Sequence, residues 1–255
     1  MKINRPTSLP LDKFIEFALY DKDSGYYMKK NPFGKDGDFI TAPNITRLFS
    51  EIIAIWVVTF WKSIGSPKKF NLLELGAGNG EMMKVIWATL KNFPECFNSC
   101  SFLIHEKSDF LINKQKVNLK SEKISWIKDI KKVNSHPIIF LANEFFDALP
   151  IKQFFKKKED WIERFVDLKE ENKAEFKEQL TDIKKIEQQL NFEISKNQNI
   201  IEYSPDAFKY LKNICSIVKK NDGGILIIDY GYLNSKMHDT LQAVNNHKYS
   251  NILED

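Results

Sequence analysis

The pattern of apolar and polar positions changes character near residue 66. Before it, apolar residues recur at helical spacing. The segment LPLDKFIEFALY, Leu9 to Tyr20, carries Phe14, Phe17 and Ala18 at that spacing and opens with Pro10, a residue suited to a helix start. A second helix is expected from about Ile45 to Ile64, apolar on most faces and therefore largely buried. Between them runs DKDSGYYMKKNPFGKDGDFITAP, rich in turn residues but also carrying Tyr26, Tyr27, Phe33 and Phe39. A plain linker would not hold that many aromatics, so this stretch is expected to pack against something.

From Phe70 short apolar runs alternate with helical stretches, the pattern of a parallel sheet. The expected strands are Asn71–Leu75, Ser101–His105, Ile124–Ile127, Pro137–Ala142 and Gly224–Ile228, with a helix from Glu81 to about Lys91. A charged stretch, 151–199, with acids and bases in balance, separates the last two strands. Its plain reading is the solvated face of a hairpin and helix. Its functional reading is a substrate arm, because loops after sheet strands border the ligand crevice. The expected organisation is an N-terminal helical and loop segment over 1–65, a Rossmann-like α/β core over 66–150 and 200–255, and an inserted arm over 151–199.

Composition narrows the field without choosing within it. A chain of 255 residues holds one large α/β domain or a domain plus an insertion, and its 43% hydrophobic content argues against global disorder. The net charge of +4 arises from 38 basic and 34 acidic residues, a mixed surface that makes nucleic acid a poor partner. Cys96, Cys100 and Cys215 form no CxxC pair, and no His, Asp or Glu arrangement nearby completes a metal site. No metal is expected, the thiols read as buried or idle, and a reduced, cytoplasmic setting fits. The N-terminus has neither an apolar signal core nor an Arg- and Ser-rich amphipathic presequence. The most apolar stretch, Ile52 to Trp61, falls far short of the ~20 residues that span a bilayer, so no membrane insertion is expected.

Candidate chemistry gathers at the ends of the expected strands. Glu74-Leu75-Gly76-Ala77-Gly78-Asn79-Gly80 leaves the first strand and opens a helix. Gly76 and Gly78 permit backbone conformations closed to other residues and let a ligand approach the main chain. The helix start behind them offers unpaired N–H groups to a carboxylate. A dinucleotide fold would place glycine where Glu81 stands, at the sixth position of GxGxxG. A carboxylate there repels a pyrophosphate but is acceptable beside a ligand bearing an ammonium group. A purely structural turn is the alternative. Glu106 ends the next strand, where an acid can accept both hydroxyls of a ribose. NAD enzymes place an acid there too, so the position indicates a nucleoside without naming it. Asp129 is placed to meet an adenine amino group, or is an ordinary surface residue. Asn143, Glu144 and Asp147, in NEFFDALP, follow the fourth strand and point into the same crevice. They could be helix caps; as functional groups the two carboxylates suit a guanidinium, which a carboxylate binds bidentately.

With these residues in place the chain resembles the MidA family, bacterial and mitochondrial proteins related to the complex I assembly factor that methylates protein arginine. The resemblance runs through YDKDSGYY, GDFITAP, LLELGAGNGEMM, NEFFDALPIKQF, EYSPDA, GGILIIDYGY and HDTLQAV, in that order. It implies a class I methyltransferase sheet that uses S-adenosyl-L-methionine. Carried over by position, Gly76, Gly78 and Glu106 would hold the donor, with Glu74 beneath the loop. Gly37, Asp38, Thr41 and Pro43 would belong to a loop that closes over it. Asn143, Glu144 and Asp147 would line the substrate side. The implied partner is a protein substrate such as a complex I subunit. With no mitochondrial presequence seen, a bacterial cytoplasmic member is expected.

The chain departs from the family pattern at Asn44, where an acid is expected, and at Ser50-Glu51, where Gly-Glu is expected. The closing loop is therefore expected to be altered. A class I sheet also needs two strands beyond GILII, and no pair of strand-like runs follows Asp229. The sequence accordingly reads as a fragment lacking C-terminal strands, with a sheet edge exposed.

The implied reaction is in-line attack of an arginine nitrogen on the donor's methyl, with Glu144 and Asp147 offsetting the repulsion between two cationic reactants. Other readings stay open. An assembly chaperone that keeps the fold without turnover is favoured by the truncation and by Asn44. A small-molecule methyltransferase is disfavoured by the charged arm, and an NAD-dependent oxidoreductase by Glu81.

Overall fold

Strands and helices alternate where the apolar pattern requires them. The computed structural model describes residues 8–30, 32–34, 37–120, 123–133, 135–169, 173–233 and 235–253. The first seven residues, on which part of the N-terminal reading rests, lie outside these. The chain opens with β1 (Ser8–Pro10), α1 (Leu11–Tyr20), α2 (Tyr26–Lys29), α3 (Ala42–Ile45) and α4 (Arg47–Ser63). Then come β2 (Phe70–Leu75), α5 (Glu81–Leu90), α6 (Pro94–Ser99), β3 (Cys100–His105), α7 (Asp109–Leu119), β4 (Ile124–Ile127) and β5 (Ile138–Asn143). The inserted arm holds β6 (Lys152–Lys157), β7 (Asp160–Leu168), β8 (Ala174–Thr181), α8 (Ile183–Leu190) and β9 (Ile200–Tyr203). After it come α9 (Pro205–Asn221), β10 (Gly223–Ile228), β11 (Ala243–Asn245) and β12 (Lys248–Ser250).

The core is a parallel sheet in the order β10-β5-β2-β3-β4. β2 lies at its centre and is buried at every position, which is why FNLLEL reads as a nearly unbroken apolar run. On one face Ile53, Ala54, Val57 and Trp61 of α4 and Met83 and Ile86 of α5 pack against Leu72, Ile139 and Leu141. On the other, Ile214 and Ile217 of α9 pack against Leu73, Leu75, Phe140 and Ala142. Each of the larger aliphatic and Phe side chains among these contributes roughly 1.5–3 kcal/mol by leaving water. The chain runs outward from β2 to β3 and β4, then crosses to β5 on the other side. Neighbouring connections therefore diverge between β2 and β5, and a crevice opens at their carboxyl ends.

The arm is a second, antiparallel sheet, β1-β7-β6-β9, with β8 on the free side of β7. It draws strands from both sides of 151–199, since β9 lies beyond it and β1 comes from the N-terminus. Lys152 joins Asp12 of α1 (3.2 Å) to Glu163 of β7 (2.6 Å), fixing α1 on this sheet.

Two expectations are corrected. Helix α4 buries only an inner stripe; Leu48, Ile52 and Ile55, three and four residues apart, form an exposed outer one. Its apolar content overstated its burial because only one face meets the sheet. The segment after Asp229 does contain strands, a hairpin whose turn residues Asn246 and His247 have φ 51° and 62°. Left-handed residues at both positions fit a tight hairpin turn without the usual glycine signal. This hairpin stands apart from the parallel sheet, whose edges among the described residues are β10 and β4. No described helix is long and apolar enough to cross a membrane.

Candidate active site

β2 ends at Leu75, and the chain bends through Gly76 (φ 64°) and Gly78 (φ 54°) before α5 begins. These left-handed angles cost other residues ~1–2 kcal/mol. Space gives a second reason for glycine. A Cβ on Gly76 would lie 2.8 Å from the Phe145 ring, and one on Gly78 would lie 3.2 Å from the Phe33 ring. Beneath the bend Glu74 is 3% exposed and accepts from the Met83 N–H; its Oε2 has no partner among the described residues. Burial pushes its carboxyl up to about 8, helped by the nearby Glu106 carboxylate.

Glu106 follows β3 at the next strand end and is itself buried. It accepts from the N–H groups of Lys107 (2.9 Å) and Ser108 (3.0 Å) and from Gln115 Nε2 (3.2 Å). Burial raises its pKa, and these donors counter the rise. The same Gln115 amide donates to the Gly78 carbonyl (2.9 Å), so one side chain ties the acid to the bend. Asp129 stands outside this group. It is exposed and caps the turn Ile130–Lys132 by accepting from the Lys131 N–H (3.0 Å).

The segment 32–46 lies against the bend. Phe33 faces Gly78 and stacks with Tyr27 (centroids 6.2 Å apart, 15° between planes). At Gly37 a Cβ would meet the Pro32 carbonyl at 2.3 Å, so only glycine fits. Asp38 accepts from the Asn246 N–H (2.8 Å) and the Tyr26 hydroxyl, which together hold its pKa down. Thr41 precedes α3, and Pro43 is buried within it. Asn44 donates to Thr41 Oγ1 (2.8 Å) and accepts from Asn79 Nδ2 (2.7 Å), both donor and acceptor as an amide can be and an ionised carboxylate cannot. Ser50 is fully buried, and Glu51 pairs with Arg47 (2.8 Å).

Across the switch point Asn143 closes β5, its Oδ1 buried without a partner among the described residues. Glu144 adopts φ 48°, a strained value for a residue with a side chain. Its carboxylate accepts from the Ala42 N–H and the Asn143 amide, while burial and then Asp229 raise its pKa. Burial, Asp229 and Glu144, in that order, push Asp147 up to about 6. Asp229 had not been singled out from the sequence, although it too stands just past a strand's carboxyl end. Its Oδ2 accepts from the N–H groups of Phe146 (3.0 Å) and Asp147 (3.3 Å). Gln115 and Asn79 were missed as well.

A parallel sheet in this order, with a glycine bend and a strand-end acid beside its switch point, defines a Rossmann-like methyltransferase fold. Residues 52–255 match the family of putative S-adenosyl-L-methionine-dependent methyltransferases, and the chain belongs to it. It is 27% identical over 292 residues to the mitochondrial protein arginine methyltransferase NDUFAF7 of Xenopus laevis, covering 100% of this chain and 63% of that protein. The Drosophila melanogaster homolog is 28% identical over 278 residues, covering 97% and 62%. Among solved structures, a likely methyl transferase from Burkholderia thailandensis bound to S-adenosyl-homocysteine shares the fold. Its TM-score is 0.69 at 21% identity, over 83% of this chain and 56% of that one. The chain thus spans about three-fifths of the length of its curated relatives. Those relatives are mitochondrial, which overturns the expectation of a bacterial cytoplasmic protein.

Proposed function

We propose that this chain carries the catalytic site of a methyltransferase that modifies an arginine side chain of a protein, a respiratory complex I subunit being the substrate its family resemblance suggests. The observation that carries the reading is the meeting, at one switch point, of the glycine bend and Glu106 with Glu144 and Asp147. The names of the curated relatives support arginine as the acceptor.

The residues suit S-adenosyl-L-methionine. The glycine bend brings main chain to the switch point with the Phe145 and Phe33 rings over it, Glu106 offers a buried carboxylate for ribose hydroxyls, and the orphaned Asn143 Oδ1 offers an acceptor at the crevice. When bound, the donor supplies an electrophilic methyl on a sulfonium. Gly76, Gly78 and Glu106 would hold it, with Glu74 supporting the bend from below. Asp129, at the end of β4, would serve the adenine end, and Gly37, Asp38, Thr41 and Pro43 would shape the covering segment. Glu144 and Asp147 would receive the guanidinium, offset its charge and aim one nitrogen. Alignment of this kind has a ceiling of ~7–11 kcal/mol.

Calorimetric titration with S-adenosylhomocysteine tests the donor site. Binding is expected, weakened at least about tenfold in Glu106→Ala by loss of charged hydrogen bonds worth ~1.5–3 kcal/mol. Transfer of labelled methyl to arginine in a mitochondrial protein extract tests the acceptor side. Glu144→Gln should lower it about a hundredfold, the scale on which one transition-state charge contact acts. Undiminished transfer would remove Glu144 from the mechanism. A second reading, a binding protein that keeps the fold without turnover, is favoured by the Phe145 and Phe33 rings resting on Gly76 and Gly78. Failure of S-adenosylhomocysteine to bind would select it.

A further inference from the structure

We propose that Asp229 is a positioning residue of the acceptor side, fixing the turn that carries Asp147 and holding that carboxylate beside Glu144. The inference rests on the arginine reading above for its meaning, though not for its test.

Strand register brings Asp229 to this place. Ile228 pairs with Asn143 in the sheet, and the Glu144 N–H donates to the Ile228 carbonyl (2.9 Å). The next residue, Asp229, therefore meets the turn leaving β5. One of its oxygens takes the N–H groups of Phe146 (3.0 Å) and Asp147 (3.3 Å), and the other takes the Tyr230 N–H (2.9 Å). That turn begins with the left-handed Glu144, a conformation retained only where surroundings fix it. Asp229 supplies such fixing from a strand more than 80 residues away in sequence.

The cost of this clamp is a third negative charge. Among the described residues, the titratable groups that face Asp147 are Glu144 on its own turn, Asp229 and Tyr230 after β10, and Tyr27 of α2. None of them is cationic, so the cluster is completed by a positively charged guest such as a guanidinium. Asp147 near 6 is neutral in mild acid and charged above, so it can receive that guest only on the alkaline side. Removing the Asp229 charge lowers the Asp147 midpoint and extends the competent range to lower pH.

The test is carboxyl-carbon NMR on this chain, with amide exchange read in parallel. In the wild type Asp147 should titrate near 6. In Asp229→Asn, which keeps an acceptor oxygen, the midpoint should fall by about one pH unit, the scale of a nearby like charge. The Phe146 and Asp147 amides should stay protected in that variant and lose protection about tenfold or more in Asp229→Ala. An unmoved midpoint in a folded Asp229→Asn, or unchanged protection in Asp229→Ala, would overturn the proposal. If both effects appear while no arginine is methylated, Asp229 keeps its positioning role and the substrate assignment falls.

Discussion

Glu74 is a carboxyl held almost out of water, and its consequence is a dependence of stability on pH. Its folded value, about 8, stands above the 4.5 of a free glutamate. Folding therefore binds a proton between those values, and the contribution is complete below 4.5 and lost as pH rises toward 8. Glu74→Gln keeps the shape and the acceptor for the Met83 N–H but has nothing to ionise. It should stabilise the chain on the order of 3 kcal/mol at pH 7 and by almost nothing at pH 4.5, at ~1.4 kcal/mol per unit. Denaturant titrations at the two pH values decide it, since equal differences would mean that Glu74 ionises freely. At this scale the glycine bend and Glu106 were legible, because each follows an apolar run with its own chemistry. Asn79, Gln115 and Asp229 were not, because their partners lie 35, 37 and 83 residues away in sequence. Nothing local records such pairings.

At the scale of elements, legibility followed unbroken apolar runs. β2, β3, β4, β5 and β10 were placed within a residue of their observed bounds because the parallel strands leave such runs, at the half-buried edges β4 and β10 as well as at the buried centre. β7 and β8 alternate charge with apolar residues on a half-solvated sheet, and their sequence reads equally as a charged surface. Nor does local sequence show that Ser108 serves two elements. It caps α7 by accepting from the Leu111 N–H (3.2 Å) and donates to the Tyr27 carbonyl (2.7 Å), while 1% exposed. Ser108→Ala removes both bonds and should cost about 2 kcal/mol, a melting temperature lower by roughly 4–8 °C. Ser204→Ala removes only the cap of α9, where the hydroxyl accepts from the Ala207 N–H (3.2 Å), and should cost about half as much. Equal losses in thermal denaturation would show that the tie to Tyr27 contributes nothing.

The segment after β10 ties the two sheets together. It leaves the cluster of Glu144, Asp147 and Asp229 at Asp229 and reaches the arm at Asp239 and Thr240. Asp239 accepts from Gln153 Nε2 (2.8 Å) and Arg164 (3.2 Å), and Glu202 takes the Thr240 N–H (2.8 Å). The ion pair is partly exposed and by itself worth little. Gln153 is fully buried, so its amide bond carries the greater weight. Arg164 also lies between the rings of Phe155 (4.4 Å) and Phe176 (4.6 Å), which hold it on the arm whether or not Asp239 is present. Asp239→Ala should therefore leave both sheets intact while releasing the strap between them, at a cost of about 1–2 kcal/mol. Hydrogen exchange resolves this, with faster exchange expected at Thr240 and Leu241 and unchanged protection in β2 and β5. Acceleration spread evenly over both sheets would mean that arm and core open as one unit, and that the strap does not separately set their relation.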